Sequence, residues 1–152
     1  MTFKRRQLFR ITAGLAAAGV LGARGVRGAA AAEWNKSGFS ASTVADAMKS
    51  IGANNPSSSK DILFKAPDVA ENGAVVPIEI TSRIPNTQSI TIIADKNPFP
   101  LVASFDFSAN SEPYANTRIK LADTSNVRAI VKAGGQHYMA VREVKVTIGG
   151  CA

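Results

Sequence analysis

Histidine and cysteine are nearly absent from this chain, whose 152 residues hold one of each, His137 and Cys151. With one histidine, a histidine-based metal site would have to draw mainly on carboxylates. With one cysteine, no disulfide can form inside the chain, so the thiol is free, modified or paired with another molecule. Long apolar runs are missing too, and no segment reaches the roughly 20 residues that a membrane-spanning helix needs. The sequence contains no G-x-S-x-G elbow, no phosphate-binding loop and no dinucleotide fingerprint. An enzyme in its own right is therefore not expected.

Acidic residues are absent from the first 32 positions, and this absence is informative. Lys4, Arg5, Arg6, Arg10, Arg24 and Arg27 supply six of the 18 basic residues there, whereas all 11 acidic residues lie at Glu33 or later. A basic start with the Arg5-Arg6 pair leads into an apolar segment at 11–23, rich in alanine and glycine and only weakly hydrophobic. Ala29-Ala30-Ala31-Ala32 then offers small residues for cleavage after Ala30, Ala31 or Ala32. Paired arginines, a mild apolar core and late basic residues predict a twin-arginine export signal over 1–32 and a periplasmic protein. An ordinary secretory signal and a basic membrane anchor are the alternatives. The formal charge of +7 then belongs mostly to the signal, and the nearly balanced remainder gives no basis for nucleic-acid binding. Stable membrane insertion is not expected.

From residue 33 the chain is long enough for one domain. Val44, Ala47, Met48 and Ile51 share a face at helical spacing, Ser42 or Thr43 can cap the start, and Gly52 can end it. A short leading helix is thus expected within 34–52, with Trp34 and Phe39 as packing anchors. A polar loop follows at 54–59. The pattern then changes to strand-like runs at 61–65, 75–84, 89–94, 101–107, 117–122, 127–132 and 138–148. Turn residues separate them at 71–73, 85–86, 97–98, 110–113, 123–126 and 134–135. Alternation such as Val127, Ala129 and Val131 against Arg128, Ile130 and Lys132 marks half-buried strands. Seven strands without helices between them predict an all-β, immunoglobulin-like antiparallel sandwich over 33–148, with barrel closure as the alternative. There is no internal repeat.

Asp68 and Glu71 flank a turn between Pro67 and Gly73, where solvated carboxylates are expected. His137 follows Gly134-Gly135 and reads as a hairpin or surface residue. The C-terminus is different. Val146 and Ile148 alternate as a strand does, Gly149 and Gly150 then accept nearly any backbone conformation, and Cys151 stands one residue from the end. This predicts a flexible arm over 149–152 that presents a thiol, at about 10 Å from Ile148 when extended. The carboxylate of Ala152 beside it disfavours the thiolate, so a thiol that is quiet until a partner supplies positive charge or a metal is expected. A Cys151–His137 nucleophilic pair is left open, although a glycine hinge positions a nucleophile poorly.

The run Val144-Lys145-Val146-Thr147-Ile148-Gly149-Gly150-Cys151 resembles the C-terminal signature of the SoxY family. These are sulfur-carrier subunits of the periplasmic thiosulfate-oxidising (Sox) system. Phe39-Ser40-Ala41, the segment from Ala66-Pro67-Asp68 through Ala70-Glu71-Asn72-Gly73 to Pro77-Ile78, and the twin-arginine leader are similar too, so the resemblance spans the chain. It implies an immunoglobulin-like sandwich that pairs with a SoxZ-like sandwich subunit. It also implies that Cys151 is the covalent attachment site for sulfur, borne on Gly149 and Gly150, with no cofactor or metal and no catalytic residue of its own. The implied enzymes are a haem-containing thiosulfate-conjugating enzyme, a sulfate-releasing hydrolase and, in some organisms, a molybdenum–haem sulfur dehydrogenase. Where the family's arm commonly continues with glycine after the cysteine, this chain has Ala152. The alternative function is a periplasmic binding or structural sandwich whose terminal cysteine only forms an intermolecular disulfide.

Overall fold

A computed structural model describes residues 34–147; the expected signal over 1–32 and Gly149, Gly150 and Cys151 lie outside the described residues. In chain order the elements are α1 (Lys36–Phe39), α2 (Val44–Ser50), β1 (Ser57–Ser58), β2 (Ile62–Lys65), β3 (Val69–Ala70), β4 (Val76–Ser82), β5 (Thr87–Ala94), β6 (Leu101–Asp106), β7 (Tyr114–Ile119), β8 (Ser125–Ala133) and β9 (Gln136–Val146). The larger sheet has the order β1-β9-β8-β5-β6, with β3 also paired to β9. The smaller has the order β2-β4-β7. The result is the expected sandwich of two sheets rather than a barrel.

The core follows from strand period. Along β8, Val127, Ala129, Val131 and Ala133 face inward and meet Ile78 and Ile80 of β4, Ile90 and Ile92 of β5, Phe64 and Val144. Burying a side chain of this kind contributes about 1.5–3 kcal/mol. Ile130 lies on the opposite face of the same strand yet is also buried. Its cover is helical: Ile93, Leu101 and Ile130 form a second apolar cluster with Ala41, Ala47 and Ala53, flanked by Phe39, Met48 and Met139. The inner strand β5 is therefore covered on both faces, which explains its unbroken buried run from Ile90 to Ala94.

Several expectations are corrected. The helical stretch is two helices, not one, although Thr43 caps α2 as expected, accepting from the Asp46 amide at 3.1 Å and donating to its carboxylate at 2.7 Å. Gly52 ends it with φ of +74°. The run placed at 117–122 forms a strand at Tyr114–Ile119 instead, because Ile80↔Ala115, Ile78↔Thr117 and Val76↔Ile119 set its register on β4. Ser125 and Asn126, expected in a turn, begin β8. Two strands were not expected at all. β1 lies inside the polar loop and β3 in the turn near Glu71, and each makes a two-residue parallel pairing with β9 in an otherwise antiparallel fold.

Candidate functional site

β9 is the longest strand and the one that leads to the C-terminus. Nine residue pairs join it to β8, from Ala133↔Gln136 to Ser125↔Val144. The hairpin between them turns on Gly134 and Gly135, whose φ values of +56° and +79° suit glycine. Beyond Val144 the partner strand has ended, yet the chain is still held. The Lys145 amide donates to the Asp68 carbonyl at 3.0 Å, and the Thr147 amide donates to the Ala70 carbonyl at 3.1 Å. On the other side the Val146 amide donates to Thr124 Oγ1 at 3.0 Å.

The turn at 71–73 packs directly against this strand end. Leu121 donates its amide to the Gly73 carbonyl at 2.7 Å. A Cβ on Gly73 would stand 2.6 Å from the Leu121 carbonyl oxygen and 2.9 Å from Val146 Cγ1. Only glycine fits there without displacing its neighbours. Val69, Val75 and Phe99 are each at least half exposed, and all three belong to loops or short strands. Beside β9 runs an open groove of about 560 Å³ lined by Asp68, Val69, Val141, Arg142, Glu143 and Lys145. Arg142 crosses between the sheets, donating from Nε to the Phe64 carbonyl at 2.9 Å.

The other residues singled out in the sequence fall elsewhere. The Asp68 side chain is 92% exposed, with its carboxylate 3.7 Å from Arg142 Nη1, so it is the solvated turn carboxylate expected. Trp34 stacks on Phe39 with ring centroids 4.3 Å apart, and Phe39 packs on the second core. His137 sits next to the β8–β9 hairpin, opposite Lys132. Burial, and then the Lys132 ammonium, hold its imidazole below the ordinary range, against a raising backbone contact with Ile51. Its Nε2 is buried with no protein partner, and it lines a cavity of about 180 Å³ with Thr91, Ser104 and Asp106.

The fold separates His137 from Cys151 within one chain. Ten steps of extended chain lead from His137 to Thr147, about 33 Å at 3.3 Å per residue. The four residues from Thr147 to Cys151 span at most about 14 Å. An intramolecular Cys–His pair is therefore out of reach. Among the described residues no three of His, Cys, Asp and Glu gather as a metal site would require. Thr124 and the clasp made by β3 were missed in the sequence. The only signal for them was the segment at 66–73, which carried the resemblance without a stated role.

A family model described as "Sulfur oxidation protein SoxY" matches residues 47–151. Among solved structures, the sulfur carrier protein SoxY from Chlorobium limicola f thiosulfatophilum superimposes with a TM-score of 0.63. It is 42% identical, over 70% of this chain and 98% of that one. A superoxide reductase (neelaredoxin) from Ignicoccus hospitalis reaches a TM-score of 0.48 at 15% identity, over 57% of this chain and 80% of that one. No curated protein matches the chain.

Proposed function

The chain belongs to the SoxY family of sulfur carriers, and on that premise we propose that the thiol of Cys151 holds the sulfur intermediates of thiosulfate oxidation covalently. Proteins of this family act as substrate carriers rather than as enzymes. What supports Cys151 as the attachment point is that the family match runs to that residue and that no other thiol exists in the chain.

The thiol and thiosulfate join through a new S–S bond while one proton and two electrons leave, the electrons going to a haem-containing conjugating enzyme. Water then cleaves the bond between the outer sulfur and the sulfonate, releasing sulfate and leaving a persulfide on Cys151. A molybdenum–haem dehydrogenase, where present, would oxidise that outer sulfur before a second hydrolysis. Gly149 and Gly150 would give the thiol freedom to enter each partner, and a SoxZ-like sandwich would accompany the chain throughout.

Intact mass after incubation with thiosulfate and the haem enzyme tests the assignment. The wild-type mass should rise by about 112 Da, the calculated mass of the added S₂O₃ group, and Cys151→Ser should show no adduct and no thiosulfate-dependent turnover. An adduct on Cys151→Ser would exclude Cys151 as the sole site. Absence of any wild-type adduct would favour the disulfide-only alternative.

Residues 1–32 would direct the chain to the periplasm, leaving a carrier domain over 33–148 and the arm over 149–152. SoxY-family proteins are typically periplasmic, and among the described residues no helix is long and apolar enough to cross a membrane. Replacing Arg5 and Arg6 by lysine should strand the precursor in the cytoplasm. An unchanged periplasmic yield would refute the twin-arginine assignment.

A further inference from the structure

The last three described amides of the chain alternate in direction, as a strand's must, and each one is held. Lys145 and Thr147 point to one side, where the carbonyls of Asp68 and Ala70 receive them. Val146 points to the other, where β8 has already ended and the Thr124 hydroxyl stands in for a strand carbonyl. Gly73 closes the arrangement by seating its backbone against Val146 where no side chain would fit. The bonds on the β3 side come from main chain, so they depend on the path of the 68–73 segment rather than on its side chains.

We infer that β3, Gly73 and Thr124 form a clamp that holds the chain through Thr147 and thereby sets the reach of Cys151. This rests on the carrier reading, and it gives Gly73 and Thr124 the role of positioning residues. Four Cα-to-Cα steps lead from Thr147 to Cys151, an upper reach of about 14 Å. If the clamp opened, the last held residue would be Val144, paired to Ser125. The tether would then grow to seven residues and about 25 Å. The effective concentration of a tethered group falls as about the −3/2 power of tether length, here roughly twofold. Loss of near-attack positioning adds to that decrease.

The test uses the full mature chain with its partner subunit, in wild type, Thr124→Val, Thr124→Ser and the double variant Gly73→Ala/Thr124→Val. Amide exchange at Val146 should rise about fivefold or more in Thr124→Val, as expected for losing a hydrogen bond of about 1 kcal/mol, and return in Thr124→Ser. Exchange at Val144 should not change. Thiosulfate loading by the haem enzyme should slow at least twofold in the double variant, while alkylation of Cys151 by iodoacetamide keeps its rate. Deleting Gly149 gives the discriminating result. It should slow loading in wild type, where the reach becomes too short, and speed it in the double variant, where slack is taken up. The same direction of change in both backgrounds would overturn the inference, as would unaltered exchange at Val146. Exchange does not involve sulfur, so it judges the clamp even if wild-type Cys151 proves not to be loaded, which would defeat the carrier reading instead.

Discussion

His137 is the residue whose ionisation the fold most clearly opposes. Its imidazole is pushed down first by burial and then by Lys132 across the hairpin, with the Ile51 carbonyl acting the other way. Asp106 of β6 also faces the cavity that it lines. The unfolded chain takes up this proton near pH 6.5, the ordinary imidazole value. The folded chain takes it up only at lower pH. Between those two values the unfolded state binds more protons, so stability falls as pH drops through that window and is fully retained above it. Urea unfolding at pH 7.5 and pH 5.5 should show a loss for wild type that is smaller in His137→Gln. Equal losses in the two proteins would mean that the carboxylates, not His137, set the acid response. The buried Nε2 without a partner fits the same picture, since a charged ring would leave a second donor unsatisfied there.

At the scale of elements, what the sequence made legible was whatever had a period or a strong turn. β8 alternates over enough residues to be read, the end of β9 alternates from Val144 to Val146, and Gly134-Gly135 announces a two-residue hairpin. Thr43 and Gly52 bracket α2 because capping chemistry is local. β7 was displaced by three residues, since Tyr-Ala-Asn-Thr at 114–117 alternates weakly and its register is dictated by β4. β1 and β3 were invisible for a different reason. A two-residue parallel pairing has no period of its own and exists only because β9 passes alongside. The same holds for the burial of Ile130, which depends on helices more than 75 residues earlier in the chain. At the candidate site the sequence displayed the thiol and its glycines, which are chemical facts of composition. It could not display Thr124 or the Gly73 contact, which arise only when three loops converge on one strand end.

At the scale of the whole molecule, two open sheets leave edges that the described chain does not cover. β6 and β7 each end a sheet, and β7 carries a half-exposed Tyr114. Unpaired strand edges invite association unless something shields them. The proposed SoxZ-like partner would shield one of these surfaces through contacts that involve no sulfur. The other route to association is chemical, because a lone thiol in an oxidising compartment tends to pair with its counterpart on a second molecule. The described strand is held as far as Thr147, so on the proposed arm reading the reaction of Cys151 should leave the packed sheets unchanged. Two separable assemblies are therefore expected: a heterodimer that survives reductant, and a homodimer through Cys151 that does not. Size-exclusion chromatography with light scattering, run with and without dithiothreitol, distinguishes them. Cys151→Ser should abolish the homodimer and leave the heterodimer intact. Loss of both in that variant would place Cys151 within the partner interface, and the picture of a thiol presented clear of the sandwich would fail.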